Sequence, residues 1–316
     1  MLNLRYNADI RTLLAVALYF IVLSISFILP WGNWWQITGL VIANCFMSFV
    51  CAVIIHNTIH CPMFKSKTAN KIMQIVLSLT WGHPISAFVP GHNFSHHMHT
   101  NTEKDTINTN KLRFKINFFN QLLFAVMVIP DILASETKFI AKIKDKQTAW
   151  LKQYYLEFAI FLIASAALLI YDWQKFLLFF MLPHLYAVWG LVSVNFFQHD
   201  GTIESDPYNH SRNFVSRGFN ALFFNNGFHG MHHMRPELHW SLLPEYHDKY
   251  LKPYNHPNLN QANLFSYLIK TCIWPAKRID YLGNPLKLTP KHKEEHLWLN
   301  DLDLSKNKLH LGAVDN

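Results

Sequence analysis

The chain has 316 residues, of which 51% are hydrophobic and only 15% are charged, and its formal net charge is +8. In ordinary soluble domains about a quarter of the residues are charged, so this low fraction argues against a soluble protein and indicates a membrane protein. The positive charge fits the asymmetry of membrane proteins, and no basic, aromatic-interleaved surface for nucleic acid is visible in the sequence. No CxxC pair occurs, which argues against a disulfide framework or a thiolate metal site, and the four cysteines are Cys45, Cys51, Cys61 and Cys272.

Four apolar segments are long enough to cross a hydrocarbon core of about 30 Å. In chain order they are residues 12–30, 35–55, 155–171 and 176–197. Short turns rich in Trp or charge join the first pair and the last pair, as expected at a membrane interface. The sequence therefore predicts an all-α integral membrane protein with four transmembrane helices in two hairpins.

Three further apolar stretches are predicted not to cross the membrane. Residues 72–90 contain Gly82, and residues 118–133 contain Pro130. Because such residues interrupt the helical pattern, both stretches are interpreted as re-entrant or interfacial. Residues 265–274 are interpreted as an amphipathic helix that lies on the surface.

The distribution of Lys and Arg predicts the orientation in the membrane. Residues 56–152 hold 12 of them and the stretch after His199 holds 13, whereas the two hairpin turns hold only Lys175. The positive-inside rule places the two rich segments in the cytoplasm. We expect one integral-membrane domain over residues 1–316, with a polar surface tail from about residue 280. The short N-terminal segment favours a bacterial cytoplasmic membrane over the endoplasmic reticulum.

Three histidine boxes and one further histidine, His199, lie close to the ends of these apolar segments. The boxes are His56-Asn-Thr-Ile-His60, His92-Asn-Phe-Ser-His96-His97 and His229-Gly-Met-His232-His233. Histidine is the commonest metal ligand, and a spacing of three or four residues puts two imidazoles on one helix face. An adjacent histidine is rotated by about 100° and points toward a second metal. One zinc ion takes three or four ligands, so this number of histidines predicts two metal ions.

The predicted topology places all of these histidines on one side of the membrane. The first box follows the second span and His199 follows the fourth, so two crossings separate them. Boxes two and three lie on the same side if nothing else crosses. The prediction is a cytoplasmic helical cap that holds a di-metal histidine site.

This order of boxes around paired spans resembles the membrane fatty acid desaturase family, from about residue 12 to about residue 250. The segment Asn195-Phe-Phe-Gln-His199 is similar to the NxxxH at the end of the fourth span in acyl desaturases, and residues 225–244 resemble the region of the third box. The resemblance implies two iron ions, dioxygen as co-substrate and the desaturation of a fatty-acyl chain in a lipid or thioester. It implies these metal ligands, the last of them through water: His56, His60, His92, His96, His97, His199, His229, His232, His233 and Asn195.

No haem-binding His-Pro-Gly-Gly segment and no cysteine cluster occurs, so an external electron donor is expected, either ferredoxin or a b-type cytochrome. The same site is compatible with other di-iron oxidations, namely hydroxylation, ketolation of a carotenoid or decarboxylation of a fatty acid. A zinc metalloprotease would need HExxH, whereas positions 57 and 93 are Asn. A metal transporter would place its site near the bilayer midplane rather than at the ends of the spans.

Other polar residues near the boxes have weaker predicted roles. His184 lies fifteen residues before His199, too far along the helix to bind the same metal. Three more histidines are expected at the surface: His239, His247 and His256. Three arginines on the cytoplasmic side are candidates for a head group or an electron donor: Arg212, Arg217 and Arg235. Five carboxylates are candidates to orient the imidazoles through their second nitrogen: Glu103, Asp105, Asp200, Glu204 and Asp206.

Overall fold

The computed structural model describes residues 3–274, 277–288 and 296–303. In this part of the chain, the β-strands are two paired parallel dipeptides, β1 (Asn213–Phe214) and β2 (Asn260–Gln261), and there are two isolated β-bridges, Leu4 with Phe64 and Ile279 with Pro285. The helices are α1 (Asp9–Ile28), α2 (Trp34–Thr58), α3 (Lys67–Trp81), α4 (Ile85–Val89), α5 (Asn117–Ile143), α6 (Thr148–Tyr171), α7 (Trp173–Lys175), α8 (Leu182–His199), α9 (Arg217–Leu222), α10 (His229–Met234), α11 (Leu243–Tyr246), α12 (Leu264–Leu268) and α13 (Trp298–Asp301). Four π-helical turns extend them: Pro90–His97 after α4, Phe176–Met181 before α8, His247–Leu251 after α11 and Ile269–Ile273 after α12.

Five helices in the described residues are long and apolar enough to cross a membrane: α1, α2, α5, α6 and the run Trp173–His199. Four of them coincide with the four predicted spans, and α5 is the fifth. The pair formed by α3 and Ile85–His97 passes the same test together but is bent by 86°, as a broken span or a re-entrant loop would be. Length and composition therefore confirm a helical protein with several apolar helices, but not the predicted count of four spans.

Helix α5 corrects one prediction, because it runs without interruption through Pro130. A proline inside a helix removes one backbone hydrogen bond and crowds the carbonyl four residues earlier. Packing outweighs this local cost here, since Phe124, Val128 and Phe139, on both sides of the proline, are fully buried. The next residue, Asp131, forms an ion pair with a lysine in the preceding segment.

The contacts divide the described residues into two compact units. Residues 3–88 and 143–191 form the first unit, and residues 89–142 together with the described residues from 192 onward form the second. The first unit contains most of the apolar helices. The second contains the short helices, both strands and most of α5. The prediction of a single domain stays a prediction.

In the first unit, polar contacts join the apolar helices at defined points. Asn44 on α2 donates a hydrogen bond of 2.7 Å to the Ser26 hydroxyl on α1. The Lys175 ammonium, after the turn that ends α6, donates to the carbonyl oxygens of Phe27 and Leu29 at 2.8 and 2.6 Å. The turn between α6 and α8 therefore lies at the same end of this unit as the end of α1, as two hairpins with their turns on one side require.

The bend after α3 is built around Gly82 and a buried carboxylate. Gly82 ends α3 with φ of +87°, a left-handed conformation that favours glycine. The Ser78 hydroxyl accepts a hydrogen bond of 2.9 Å from the backbone N–H of Ile85. Glu157 on α6 accepts two hydrogen bonds from Ser86, one from its backbone N–H and one from its hydroxyl, both at 2.9 Å. The break predicted in residues 72–90 is therefore a sharp elbow that is held on α6.

The second unit packs around an apolar cluster beneath the end of α8. Phe196 and Phe197 of α8 contribute to it, and the other buried members are Leu112, Phe124, Val128, Phe214 and Cys272. Residues 264–273 form the helix that was predicted there, and its large apolar side chains Phe265 and Ile273 are 71% and 65% exposed while Cys272 is buried. This division is the one expected for an amphipathic surface helix.

The sequence suggested a polar surface tail after about residue 280, but the described part of this segment also contains a buried aromatic residue. In its described part Trp298 is 1% exposed and stacks on Phe139 of α5, with ring centroids 6.1 Å apart. The Trp298 indole N–H donates to the Ser135 hydroxyl at 3.0 Å. One large aromatic residue in a polar segment thus anchors residues 296–303 to α5.

Candidate metal centre

The second histidine box lies in the π-helical turn Pro90–His97. A π-helix bonds residue i to residue i+5, so residues five apart come close together. Accordingly, the Nε2 atoms of His92 and His97 are 3.0 Å apart. The neighbouring His96 points to a different group of imidazoles. Box two therefore contributes to two groups of imidazoles, and the partner of His92 in its own group is His97 rather than His96, the residue at α-helical spacing.

One group of imidazoles, which we call cluster A, consists of His96, His199, His229 and His233. One ring nitrogen of each residue lies within 4.8 Å of the corresponding nitrogen of every other. The Nε2 atom of His229 is 2.9 Å from that of His199 and 3.0 Å from that of His233. Three of the four rings are buried and the fourth is partly buried. Four converging nitrogens of this kind are a donor set that suits a transition-metal ion.

Three of the four opposite nitrogens of cluster A contact neighbouring groups. The Nδ1 atom of His96 lies 2.8 Å from the Asp105 carboxylate, and that of His199 lies 3.1 Å from the backbone carbonyl oxygen of His210. The Nδ1 atom of His233 lies 3.2 Å from the Thr100 hydroxyl. A carboxylate or carbonyl only accepts, so Nδ1 of His96 and of His199 carries the proton and Nε2 keeps its lone pair for a metal.

Asp105, one of the predicted carboxylates, contacts a cluster A imidazole. It is 2% exposed, and its two oxygens also accept from the backbone N–H groups of Asn101 and Ile107, at 2.7 and 2.9 Å. These bonds fix the carboxylate before any metal binds. The Nε2 atom of His96 is buried and has no hydrogen-bond partner among the described residues, so cluster A contains a buried nitrogen that fits a metal ion.

Three more imidazoles, His92, His97 and His232, form what we call cluster B. The Nε2 atoms of His97 and His232 are 3.2 Å apart, and one nitrogen of each of the three lies within 4.8 Å of the others. Cluster B adjoins cluster A, because the rings of His97 and His233 stack with their centroids 4.2 Å apart. The second unit therefore holds seven of the nine predicted histidines in two adjacent groups.

The first box lies in the first unit, at the end of α2. The rings of His56 and His60 have their centroids 5.8 Å apart at an interplanar angle of 87°. His56 is 3% exposed. The two residues thus form a pair, as their spacing predicted. Their participation in the same site as the other seven histidines stays a prediction.

Asn195 lies one helical turn before His199 on α8 and is 7% exposed. Its side-chain nitrogen has no hydrogen-bond partner among the described residues. An amide in this state is consistent with the predicted contact through water, although the role itself stays a prediction.

Burial keeps the site in the form that binds metals. The pKa of His233 lies well below its usual value because the ring is buried, and the nearby imidazoles of His97 and His229 lower it further. Burial also lowers the pKa of His210. A neutral imidazole is the ligand form, so these surroundings favour metal binding over protonation.

Several residues near the boxes have structural roles that the sequence did not indicate. Arg212 is 2% exposed and donates to the carbonyl oxygens of Phe197 and Asp200 at 2.6 and 3.0 Å, so it caps the end of α8 instead of facing a ligand. The Asp200 carboxylate pairs with Arg278 and not with an imidazole. The predicted surface positions of two histidines are also wrong, since each is 1% exposed: His239 and His247.

The combination of long apolar helices and two adjacent groups of largely buried imidazoles defines a helical membrane protein with a candidate histidine metal site. The chain belongs to the fatty acid desaturase family, whose sequence model matches residues 7–260. The family predicted from the histidine boxes is therefore confirmed, and with it the enzyme class of oxidoreductases. None of the curated proteins compared with the chain matches it.

Proposed function

We propose that the protein catalyses the oxygen-dependent desaturation of a fatty-acyl chain, in a lipid or a thioester, at a di-iron centre. Family membership supports the reaction class. The observation that carries the proposal is the pair of adjacent imidazole groups in the second unit, because each offers at least three nitrogens to one metal. Imidazole suits iron as a ligand, and the donor set contains no thiolate.

The proposed ligand sets follow from counting nitrogens. Cluster A offers four, which is enough for one ion. Cluster B offers three, which leaves positions open on its ion, and we assign the imidazole pair of the first box, His56 and His60, to the same metal. Asn195 is assigned to the water-mediated position. When bound, the two irons would supply the activation of dioxygen that removes two hydrogens from adjacent methylenes.

The protein's own contribution is to orient the imidazoles and to limit their exposure to bulk water. Asp105, Thr100 and the carbonyl of His210 hold three of the four outer nitrogens of cluster A, which orients those rings toward the shared site. The burial of most of these rings keeps bulk water away from the site. The apolar helices offer a methylene chain about 0.8 kcal/mol for each buried CH₂ group, which is sufficient to position a long acyl chain.

We further propose that only four helices cross the membrane and that α5 does not. Box two precedes α5, α6 and α8 in the chain. His199 is the last residue of α8 and His229 and His233 follow it, and cluster A unites these histidines with box two. The number of crossings between them must therefore be even. Of these three helices we exclude α5 as a membrane span, because its residues Phe124 and Val128 pack into the core that contains the end of α8.

Cysteine labelling tests this topology. In a variant whose four native cysteines are replaced by alanine, we introduce Asp145→Cys between α5 and α6, or Gln174→Cys in the next turn; both positions are exposed. We expect a membrane-impermeant maleimide to label position 174 in intact spheroplasts and position 145 only after permeabilisation. Labelling of position 145 in intact spheroplasts, with position 174 protected, would show that α5 crosses.

Lipid profiling of a heterologous bacterial host tests the proposed reaction. The wild type is expected to produce a new unsaturated fatty-acid species that a strain with His232→Ala lacks, because this change removes one of the cluster B nitrogens. Equal membrane levels of both proteins provide the control. An unchanged fatty-acid profile together with a hydroxylated lipid, an oxygenated carotenoid or a terminal alkene would assign the site to another di-iron oxidation.

The electron supply is part of the same proposal. Ferredoxin or a b-type cytochrome must deliver two electrons for each double bond, since the chain has neither a haem-binding segment nor a cysteine cluster. The host therefore has to contain such a carrier. Co-expression of either donor with its reductase distinguishes a missing donor from an inactive protein.

A further inference from the structure

His210 is a histidine outside all three boxes, yet its backbone is bonded to cluster A. Its carbonyl oxygen accepts from Nδ1 of His199 at 3.1 Å and from the Thr202 hydroxyl at 2.9 Å. This pair of bonds fixes the loop that follows α8 at the position of residue 210. The position of the His210 ring is therefore defined relative to the cluster.

The ring of His210 presents one nitrogen as a buried acceptor. Its Nδ1 atom lies 3.2 Å from the backbone carbonyl oxygen of Asp206, which can only accept, so Nδ1 carries the proton. In a neutral imidazole the other nitrogen, Nε2, then has a lone pair and no proton. The residue is 8% exposed, and Nε2 has no hydrogen-bond partner among the described residues.

This acceptor lies beside cluster A but outside its group of converging nitrogens. The ring centroids of His210 and His233 are 5.6 Å apart. His210 is not among the four residues whose nitrogens all lie within 4.8 Å of one another in the described chain. A buried acceptor without a donor is unfavourable, and in proteins it normally has a water molecule or an ion as its partner. A position just outside a metal group favours water over direct ligation.

We infer that His210 is a positioning residue whose Nε2 accepts a hydrogen bond from a water molecule at the edge of cluster A. The inference rests on the proposed di-iron function, because the water is expected to orient polar groups beside the metal. It does not rest on the identity of the acyl substrate. Its backbone role at His199 is independent of the side chain, so substitutions of the ring leave the bond to His199 in place. A substitution that removes the ring also removes the Nδ1 donor to the Asp206 carbonyl, whereas a glutamine amide can supply both a donor and an acceptor.

Two substitutions separate the acceptor from the shape of the ring. His210→Phe keeps a planar ring without an acceptor, and His210→Gln supplies an amide oxygen that can accept. His256→Phe, at a partly exposed histidine elsewhere in the second unit, is the control for the loss of any imidazole. Each full-length protein is purified and loaded with Co²⁺, whose optical spectrum reports the ligand field, or with iron for the desaturation assay.

We expect all variants to bind two metal equivalents, as the wild type does. His210→Phe should shift the Co²⁺ spectrum and lower kcat by about 10-fold or more with little change in KM, the range found when groups that orient a metal site are removed. His210→Gln and His256→Phe should keep the wild-type spectrum and a kcat within about 3-fold of wild type. The first variant supplies an amide oxygen as the acceptor, and the second leaves His210 unchanged.

Two results would overturn the inference. Loss of one metal equivalent in both His210 variants would make the residue a ligand or a folding element, and an unchanged spectrum and kcat in His210→Phe would leave Nε2 without a role. If His210→Phe does not accumulate, the test falls to His210→Gln. A Co²⁺ spectrum of that variant that differs from wild type would then overturn the inference. Failure of the wild type to desaturate any lipid would contradict the proposed function but would leave the Co²⁺ comparison valid.

Discussion

On the proposed di-iron function, His96→Ala is expected to remove about one iron of two and to lower product formation by at least about 100-fold, the upper limit found for residues that merely orient ligands. His96 contributes the only nitrogen of box two to cluster A. Its loss leaves three imidazoles around that ion and replaces a buried nitrogen with apolar surface. Iron content per chain, measured on the purified protein, and the fatty-acid profile of the host are the two readouts.

The neighbouring His99→Ala is the matched control for this prediction. His99 is only partly buried, and its closest acidic partner is Asp301, at 3.9 Å. It therefore belongs to neither imidazole cluster in the described residues. We expect this variant to keep two irons and wild-type product levels. Asp105 retains its bonds to two backbone N–H groups in both variants, so the local fold should survive.

Full iron content and normal product levels in His96→Ala would contradict the assignment of cluster A as a metal site. Loss of both irons with retained expression would indicate that the two sites are filled together. That result would still support a metal role for His96, but it would contradict separate binding of the two ions.

Arg278→Ala is expected to lower the free energy of unfolding by about 3–5 kcal/mol, the usual cost of leaving one member of a buried ion pair without its partner. Arg278 and Asp200 have side chains that are only 8% and 6% exposed. The guanidinium Nε is 2.9 and 3.0 Å from the two carboxylate oxygens, and the same group donates to the carbonyl oxygens of Leu112 and Thr109 at 2.6 and 2.8 Å. One side chain therefore joins three segments of the second unit directly beside His199.

Unfolding in mixed micelles, followed by tryptophan fluorescence, measures this change. Lys252→Ala is the matched control, because the pair of Lys252 and Asp248 is 60% and 64% exposed and should contribute at most about 1 kcal/mol. In the double variant Asp200→Ala, Arg278→Ala the losses should not add, since either change alone already breaks the pair. An Arg278→Ala variant within about 1 kcal/mol of wild type would show that this ion pair does not stabilise the unit.

The features that could be read from the sequence were those with a local pattern. Long apolar segments gave four helices of the correct type, and the spacing of His229 and His233 gave a pair on one helical face. The pairing of His92 with His97 could not be read, because an α-helix rather than a π-helix was assumed for box two. The expected i,i+4 partner, His96, belongs to the other cluster.

Long-range packing decided the points that the sequence missed. Pro130 predicted a break in α5, but buried side chains on both sides hold the helix together. Arg212 looked like a surface cation, yet it caps the end of α8, a role that no local pattern encodes. His210 lies alone in a polar loop, and only the fold brings its ring beside His233.

Only the three-dimensional structure shows why position 201 requires glycine. It follows Asp200 with φ of +73°, and a Cβ atom there would lie 2.5 Å from the backbone carbonyl oxygen of Ile279. Neither the backbone angle nor the space admits a side chain. This close approach brings residues 277–288 against the end of α8, where Arg278 forms its ion pair.

The π-helical turn that carries box two couples the pitch of this segment to its length. If the turn relaxed to ordinary α-helical pitch at its present length, His97 would lie five residues, or about 140° around the axis, from His92. Deletion of one residue between His92 and His96 would offset that rotation, because His97 would then lie four residues after His92, on the same face of an α-helix. Natural variation in this part of the chain should therefore either keep both the π-turn and its present length or lose both together.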